Sequence, residues 1–247
     1  MSTSLAEATP APGAAAAAQW WDDAAACTLV MSTPGAEPEL WDDFIDGAMS
    51  SYREHGAERA IDEDALRDPA MTSLFMAAID ATGTVVGGVR AQGPYGDVEE
   101  SHAVVEWAGQ PGLTAVRKMI GDRIPFGVVE IKTAWTGKHD RGRHLTAALA
   151  RMPLHATAIL GAKFAMATAA AHVLDRWRST GGIVVSRIPA TPYPDARYQT
   201  KMMWWDRAEF ARSAEPHQIS TILAESRILL PLMIDLDADD SAAGSDA

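Results

Sequence analysis

The sequence predicts an α/β fold, a single domain with a mixed central β-sheet and helices on both of its faces. Three observations carry this. Leu74 to Ile79 and Val85 to Val89 are strand-like runs joined by Asp80-Ala81-Thr82-Gly83, the residue types of a tight hairpin. From Val128 to Trp205, short apolar runs alternate with helical periodicity, the pattern of strands connected through helices. A chain of 247 residues with 47% hydrophobic content can bury one sizeable core.

Taken in order, residues 1–18 are mostly Ala, Pro, Ser, Thr and Gly and read as a disordered leader with nothing to anchor it. The folded domain is expected over 19–234. Glu39 to His55 places Leu40, Phe44, Ile45, Ala48, Met49 and Tyr52 at helical spacing. Asp62 to Arg67 reads as a short second helix that stops before Pro69. The hairpin follows, then a helix over Leu113 to Ile120 and a strand over Val128 to Trp135. A long helix is predicted from Arg143 to Leu160, closed by Gly161 and kinked or broken at Pro153. Phe164 to Thr168 is a short buried strand, Ala170 to Ser179 a helix, and Gly181-Gly182 a turn. Ile183 to Ile188 and Thr200 to Trp205 read as strands around a proline-rich loop, and Glu215 to Leu230 as a last helix. In Thr200 to Trp205, MMWW sends Met202 and Trp204 to one face and Met203 and Trp205 to the other, which suits a strand buried on both sides. Residues 235–247 hold five aspartates among small residues and read as an acidic, disordered tail.

Composition narrows the function classes. Lys and Arg total 21 against 33 Asp and Glu, a net charge of −12. Such a chain, without a long basic segment, is a poor nucleic-acid binder. No apolar run reaches the ~20 residues of a membrane span. The one cysteine, Cys27, excludes an internal disulfide and fits a reducing, cytoplasmic location. The seven histidines show no zinc spacing, so no metal is expected.

One segment reverses the sign of the charge. From Lys132 to His144 four cations (Lys132, Lys138, Arg141, Arg143) face one anion, Asp140. Three of them, Lys138, Arg141 and Arg143, fall within six residues where a predicted strand gives way to a predicted helix. A helix start exposes unpaired N–H groups and the positive end of its dipole. Gly142 lets backbone approach a ligand closely, so the loop is suited to a phosphate or pyrophosphate. The alternative is a surface turn whose cations offset nearby carboxylates.

With the order of elements, the loop DRGRHLTAAL resembles the GNAT (N-acetyltransferase) superfamily, in which the acyl-CoA pyrophosphate sits on such a loop. The family pattern R/Q-x-x-G-x-G/A falls on Arg141, Gly142, Arg143, His144, Leu145 and Thr146. Arg141 matches, and His144 and Thr146 replace two small residues. Many members place an Asn and then a Tyr in the helix after the following strand, where this chain has Ala170 and Trp177. Those departures resemble the branch of autoinducer synthases and N-acyl amino acid synthases, which draw acyl groups from carrier protein. The resemblance implies an N-acyltransferase that moves an acyl group from acyl-CoA, acetyl-CoA included, to the amine of a small molecule or amino acid. CoA is then a co-substrate, and no cofactor is permanently bound. Two other readings stay open: a synthase served by acyl carrier protein, and a non-catalytic acyl-CoA-binding module. A homodimer is compatible with all three.

Amine acylation requires orientation and a base. Glu130 resembles the glutamate some members carry early in the strand before the loop and is the first candidate, unless it only pairs with Lys132. Strict alternation puts Glu130, Lys132 and Ala134 on one side of that strand and Ile131, Thr133 and Trp135 on the other. Glu106, in the apolar run AVVEW, and His172, near a helix start, are the other catalytic candidates. The co-substrate set is Trp135, Lys138, Arg141, Gly142, Arg143, His144 and Leu145. Acceptor recognition is assigned to the loop TPYPDARYQ, where Tyr193, Asp195, Arg197 and Tyr198 offer an anion for an amine, a cation for a carboxylate and two aromatic faces.

Overall fold

Eight strands form one sheet in the computed structural model, which describes residues 17–138 and 142–232. In chain order they are β1 (Ala18–Asp22), β2 (Cys27–Ser32), β3 (Leu74–Ile79), β4 (Val85–Gln92), β5 (Val128–Thr136), β6 (Phe164–Ala170), β7 (Ile183–Val184) and β8 (Thr200–Asp206). The helices are α1 (Pro38–Glu54), α2 (Glu63–Arg67), α3 (His102–Glu106), α4 (Leu113–Gly121), α5 (Gly142–Leu149), α6 (Met152–Ile159), α7 (Ala171–Leu174) and α8 (Pro216–Ile228). Across the sheet the strand order is β1-β2-β3-β4-β5-β6-β8-β7. Every pair is antiparallel except β5 and β6, which are parallel and joined through α5 and α6. This is the predicted mixed sheet with helices on both faces.

Strand alternation divides the core. On one face Leu29, Met31, Met76, Val129, Ile131, Met203 and Trp205 pack under α5, α6 and α8. On the other, α1 sets Trp41, Phe44 and Ile45 against Phe75 and Trp135, while α3 and α4 cover Val128, Met166, Met202 and Trp204. The MMWW run is therefore core on both faces, as its alternation predicts. Burying a side chain of this size stabilises by roughly 1.5–3 kcal/mol.

Sequence expectation and structure part company at several elements. β1 and β2 precede the predicted hairpin and were not foreseen, and β1 begins at Ala18, inside the predicted leader. Most of that leader (1–16) and the tail 235–247 lie outside the described residues. The long helix predicted to Leu160 is two helices that break at Ala150-Arg151, with Pro153 in the first turn of α6, where its missing N–H costs nothing. Gly161, at φ +64°, follows α6 as predicted. The helix predicted over Ala170 to Ser179 is one α-turn, α7, continued as a 3₁₀ turn over Asp175–Thr180. Only Ile183 and Val184 of the predicted strand to Ile188 pair with β8.

The added strands are held by a buried charge network. Glu225 of α8 accepts from Trp20 Nε1 at 2.7 Å and from Arg151 Nε at 2.8 Å, and its Oε2 lies 2.7 Å from His155 Nε2. Arg151 also pairs with Asp22 at the end of β1. Each of these five side chains is at most 9% exposed. Their pairing offsets a desolvation cost that would be several kcal/mol for an isolated ion.

Candidate active site

The site begins with an irregularity in β5. Gly88 pairs with Trp135 and Arg90 with Lys132, so Thr133 and Ala134 together oppose Val89 alone. This is a β-bulge. Thr133 adopts φ +51°, rare for a β-branched residue. Arg90 Nε donates to Thr133 Oγ1 at 3.1 Å, while its Nη1 donates to Met71 O at 2.7 Å and Thr72 Oγ1 at 3.0 Å. The bulge corrects the expected alternation: Lys132 and Trp135 share a face, and Trp135 packs 6.2 Å from Phe44 of α1. Gly47 makes that packing fit, since a Cβ there would lie 2.1 Å from the Trp135 ring.

Beyond the bulge β5 leaves its neighbour. β5 and β6 pair only from Val128 with Phe164 to Ile131 with Ala167. Further along, β5 stays with β4 and β6 with β8. A cleft of about 440 Å³ opens between them, floored by Ile131–Thr136 and Ala167–Ala170. The ends of α1 and α3, the helices α5 and α7, and the loop before β8 close around it.

Glu106 enters this cleft from α3. Its Oε1 accepts from Thr168 Oγ1 at 2.8 Å, and its Oε2 is buried with no hydrogen-bond partner among the described residues. Burial, and next the charge of Glu130, push its carboxyl up from 4.5 to about 8, against smaller opposing effects of the Thr168 bond and Lys132. His102 lies one turn earlier on α3, its Nε2 4.0 Å from Glu106 Oε1 and 2.8 Å from Tyr193 Oη. Burial, reinforced by the Lys132 charge, lowers His102 to about 4, so it is neutral near pH 7. Lys132 also lines the cleft, and burial lowers its ammonium.

Glu130 sits behind this layer. It is 1% exposed and does not line the cleft. Its Oε2 accepts from Tyr95 Oη at 2.7 Å, Ser101 Oγ at 3.1 Å and the His102 backbone N–H at 3.0 Å. It thereby fixes the start of α3, whose N-cap is Ser101, and aims His102 and Glu106 at the cleft. Glu130 and Lys132 make no ion pair within 4.0 Å among the described residues; they act on each other through charge alone, the Glu130 carboxylate favouring the Lys132 ammonium that burial lowers.

The other expected residues divide. Trp135 and the exposed His172 line the cleft, His172 from α7. Trp177 lines it too, packed 6.3 Å from Trp205. Arg141 lies outside the described residues. Gly142 opens α5 with free space where a Cβ would be, and Arg143 and His144 are exposed beside it. Leu145 is core, and Lys138 is exposed, 3.6 Å from Glu54. Tyr193 and Tyr198 line the cleft, but Asp195 and Arg197 do not. Arg197 donates to Gly56 O at 3.0 Å and to Asp195, through its side chain at 2.8 Å and its backbone N–H at 2.9 Å, and the bonds to Asp195 hold that carboxyl down at about 2. That pair fastens the loop to the end of α1. His102, Lys132 and Thr168 were not foreseen as site residues; the i, i+4 spacing of His102 and Glu106 after Ser101 was the available signal.

No helix among the described residues is long and apolar enough to cross a membrane, and no group of three or more His, Cys, Asp or Glu there could hold a metal ion.

No family model matches the chain. It is 55% identical over 207 residues to the uncharacterized protein Rv1356c of Mycobacterium tuberculosis, covering 83% of this chain and 79% of that one. The figures are the same for the uncharacterized protein Mb1391c of Mycobacterium bovis. Among solved structures, FeeM, an N-acyl amino acid synthase from uncultured soil microbes, aligns with TM-score 0.59 at 13% identity, over 78% of this chain and 97% of that one. A GNAT superfamily phosphinothricin acetyltransferase from Sinorhizobium meliloti aligns at TM-score 0.46 and 16% identity, over 73% and 88%. The chain belongs to the family of the mycobacterial protein Rv1356c, and its fold is that of the GNAT acyltransferases.

Proposed function

We propose that the protein is an N-acyltransferase that takes an acyl group from acyl-CoA and places it on the amine of a small molecule, with Glu106 as the base. The observation that carries this is the Glu106 carboxyl, which holds one unpartnered oxygen in the cleft where β5 and β6 part. FeeM, which shares the fold, is an N-acyl amino acid synthase.

In this reading the start of α5, with Gly142 and the cations Lys138, Arg141 and Arg143, takes the CoA pyrophosphate. The pantetheine lies in the opening between the strands, which presents the thioester carbon to the cleft. Glu106 takes a proton from the ammonium of the acceptor, and the freed amine nitrogen attacks the carbonyl carbon. The C–N bond forms, the C–S bond breaks, and the second amine proton leaves with the CoA thiol. A carboxyl near 8 is well matched to this task, since it is partly ionised at neutral pH and basic enough to draw a proton from an amine. Glu130 positions α3 and contacts no substrate.

Acyl carrier protein as donor is the second reading, favoured by the exposure of Lys138 and Arg143 around the start of α5, which offers cations to an acidic carrier. The test is acylation of a panel of amines by purified protein with acetyl-, octanoyl- or lauroyl-CoA, read by mass spectrometry of the amide. Amide formed without carrier protein supports CoA as donor. Amide formed only with acyl carrier protein moves the donor to the second reading. CoA binding without amide in either case supports a binding module.

A further inference from the structure

The helical run after β6 brings a second cationic spot to the cleft. His172 of α7 and Arg176 of the 3₁₀ turn that continues it stand four residues apart, and both line the cleft while exposed to solvent. Arg176 is the one arginine among the described residues that line it. Among the described residues its side chain makes no ion pair within 4.0 Å and no hydrogen bond. The nearest carboxylate in sequence, Asp175, is taken by Arg178 at 2.9 Å. The segment is fixed from behind, since Leu174 is buried and Trp177 packs 6.3 Å from Trp205. It is also tied to α5. Gln218 of α8 donates to Ala147 O at 3.1 Å and to Ser179 Oγ at 3.4 Å, which holds α5 and the 3₁₀ turn side by side. Thr146 of α5 lines the same cleft and donates to Gly142 O at 2.9 Å, one helical turn, about 5.4 Å, from the start of that helix. A guanidinium with no protein partner beside a cleft suits a phosphate, whose oxygens match its planar fork of donors.

We infer that Arg176, with His172 beside it, binds the 3′-phosphate on the ribose of the acyl-CoA donor. This rests on the CoA reading above, in which the start of α5 holds the pyrophosphate. CoA carries one phosphate more than the pyrophosphate, on the ribose a few bonds away. Because α5 and the 3₁₀ turn are held together, one CoA can reach both cationic spots. A pantetheine arm on acyl carrier protein ends in a single phosphodiester and has no 3′-phosphate. A site for that group therefore selects CoA over the carrier as donor.

The test is isothermal titration of CoA and 3′-dephospho-CoA into the wild type, Arg176→Gln, Arg176→Lys and Arg178→Gln. Glutamine keeps much of the stem and removes the charge, and lysine restores the charge without the fork. Arg178→Gln removes an equal charge two residues away and reports any general effect of net charge. The wild type is expected to bind CoA about 5-fold or more tighter than dephospho-CoA, the low end for a charge-assisted contact at an exposed site. Arg176→Gln should bring CoA down to the level of dephospho-CoA and leave dephospho-CoA itself unchanged. Arg176→Lys should keep part of the preference, and Arg178→Gln all of it. Equal binding of the two ligands by the wild type, a preference that survives in Arg176→Gln, a preference lost equally in Arg178→Gln, or no binding of CoA overturns the inference. If CoA binds without regard to its 3′-phosphate and still yields amide, the phosphate site falls and the acyltransfer reading stands. If the preference depends on Arg176 but no acyl-CoA yields amide, the acyltransfer reading falls and the phosphate site stands.

Discussion

Glu106→Gln should make the protein more stable at alkaline pH while removing most of its activity. Glutamine has the shape of the protonated acid, and its carbonyl oxygen can keep the bond from Thr168 Oγ1 that Glu106 Oε1 receives at 2.8 Å. What it removes is a buried group that resists ionisation. The carboxyl rises from 4.5 to about 8, chiefly through burial and next through the charge of Glu130. With the folded value raised, the folded protein holds a proton that the unfolded chain has released. The resulting stability is fully present below the unfolded value and is lost as pH rises from about 4.5 through about 8. At 1.36 kcal/mol per pKa unit the loss approaches roughly 3–5 kcal/mol, read as an order of magnitude. The glutamine variant lacks this dependence. Urea unfolding across this range should show the two proteins converging at the acid end and the variant more stable at the alkaline end. Parallel stability curves for the two proteins would refute the buried, proton-holding carboxyl.

Three other outcomes follow from the same geometry. Glu130→Gln should lower turnover through a less well-held α3, keep the alkaline rise in rate and move its midpoint below about 8, because the charge that helps raise Glu106 is gone; a pH–rate profile that loses the rise altogether would return the base role to Glu130. Glu225→Ala should destabilise by roughly 3–5 kcal/mol, since it leaves Arg151 buried without one of its two anions; thermal unfolding within 1 °C of the wild type would contradict the network, given that ~1 kcal/mol shifts a domain of this size by a few degrees. The double variant Arg141→Ala, Arg143→Ala should weaken CoA binding by roughly 1.5–3 kcal/mol per lost contact in isothermal titration, and unchanged affinity would remove the pyrophosphate from this loop.

Much of the fold is legible because its signals are local. The hairpin residues Asp80 to Gly83, the spacing within α1, the strand before the basic loop and the MMWW alternation each follow from neighbours in sequence, and the structure holds all four. β1 and β2 escaped notice since each is short and β1 adjoins an alanine-rich stretch, and because their stability comes from distant partners such as Glu225. The candidate site is legible in part for the same reason. Glu106 stands out as a carboxylate in an apolar run. Its environment depends on Thr168, His102 and Lys132, from two strands and a helix that only the bulge and the parting of β5 and β6 bring together. Asp195 and Arg197 are complementary charges two residues apart, and such a pair satisfies itself before it can serve a ligand.

The most direct measurement of the central claim is amine-dependent release of free CoA thiol from acyl-CoA, followed as a function of pH for the wild type and Glu106→Gln. The wild type should show a rate that rises with pH to a plateau, its midpoint near 8 where the Glu106 carboxyl ionises. The variant should be slower by about 10²–10⁴ and show no such rise. A variant with near-normal turnover and the same pH profile as the wild type would contradict the assignment of Glu106 as the base.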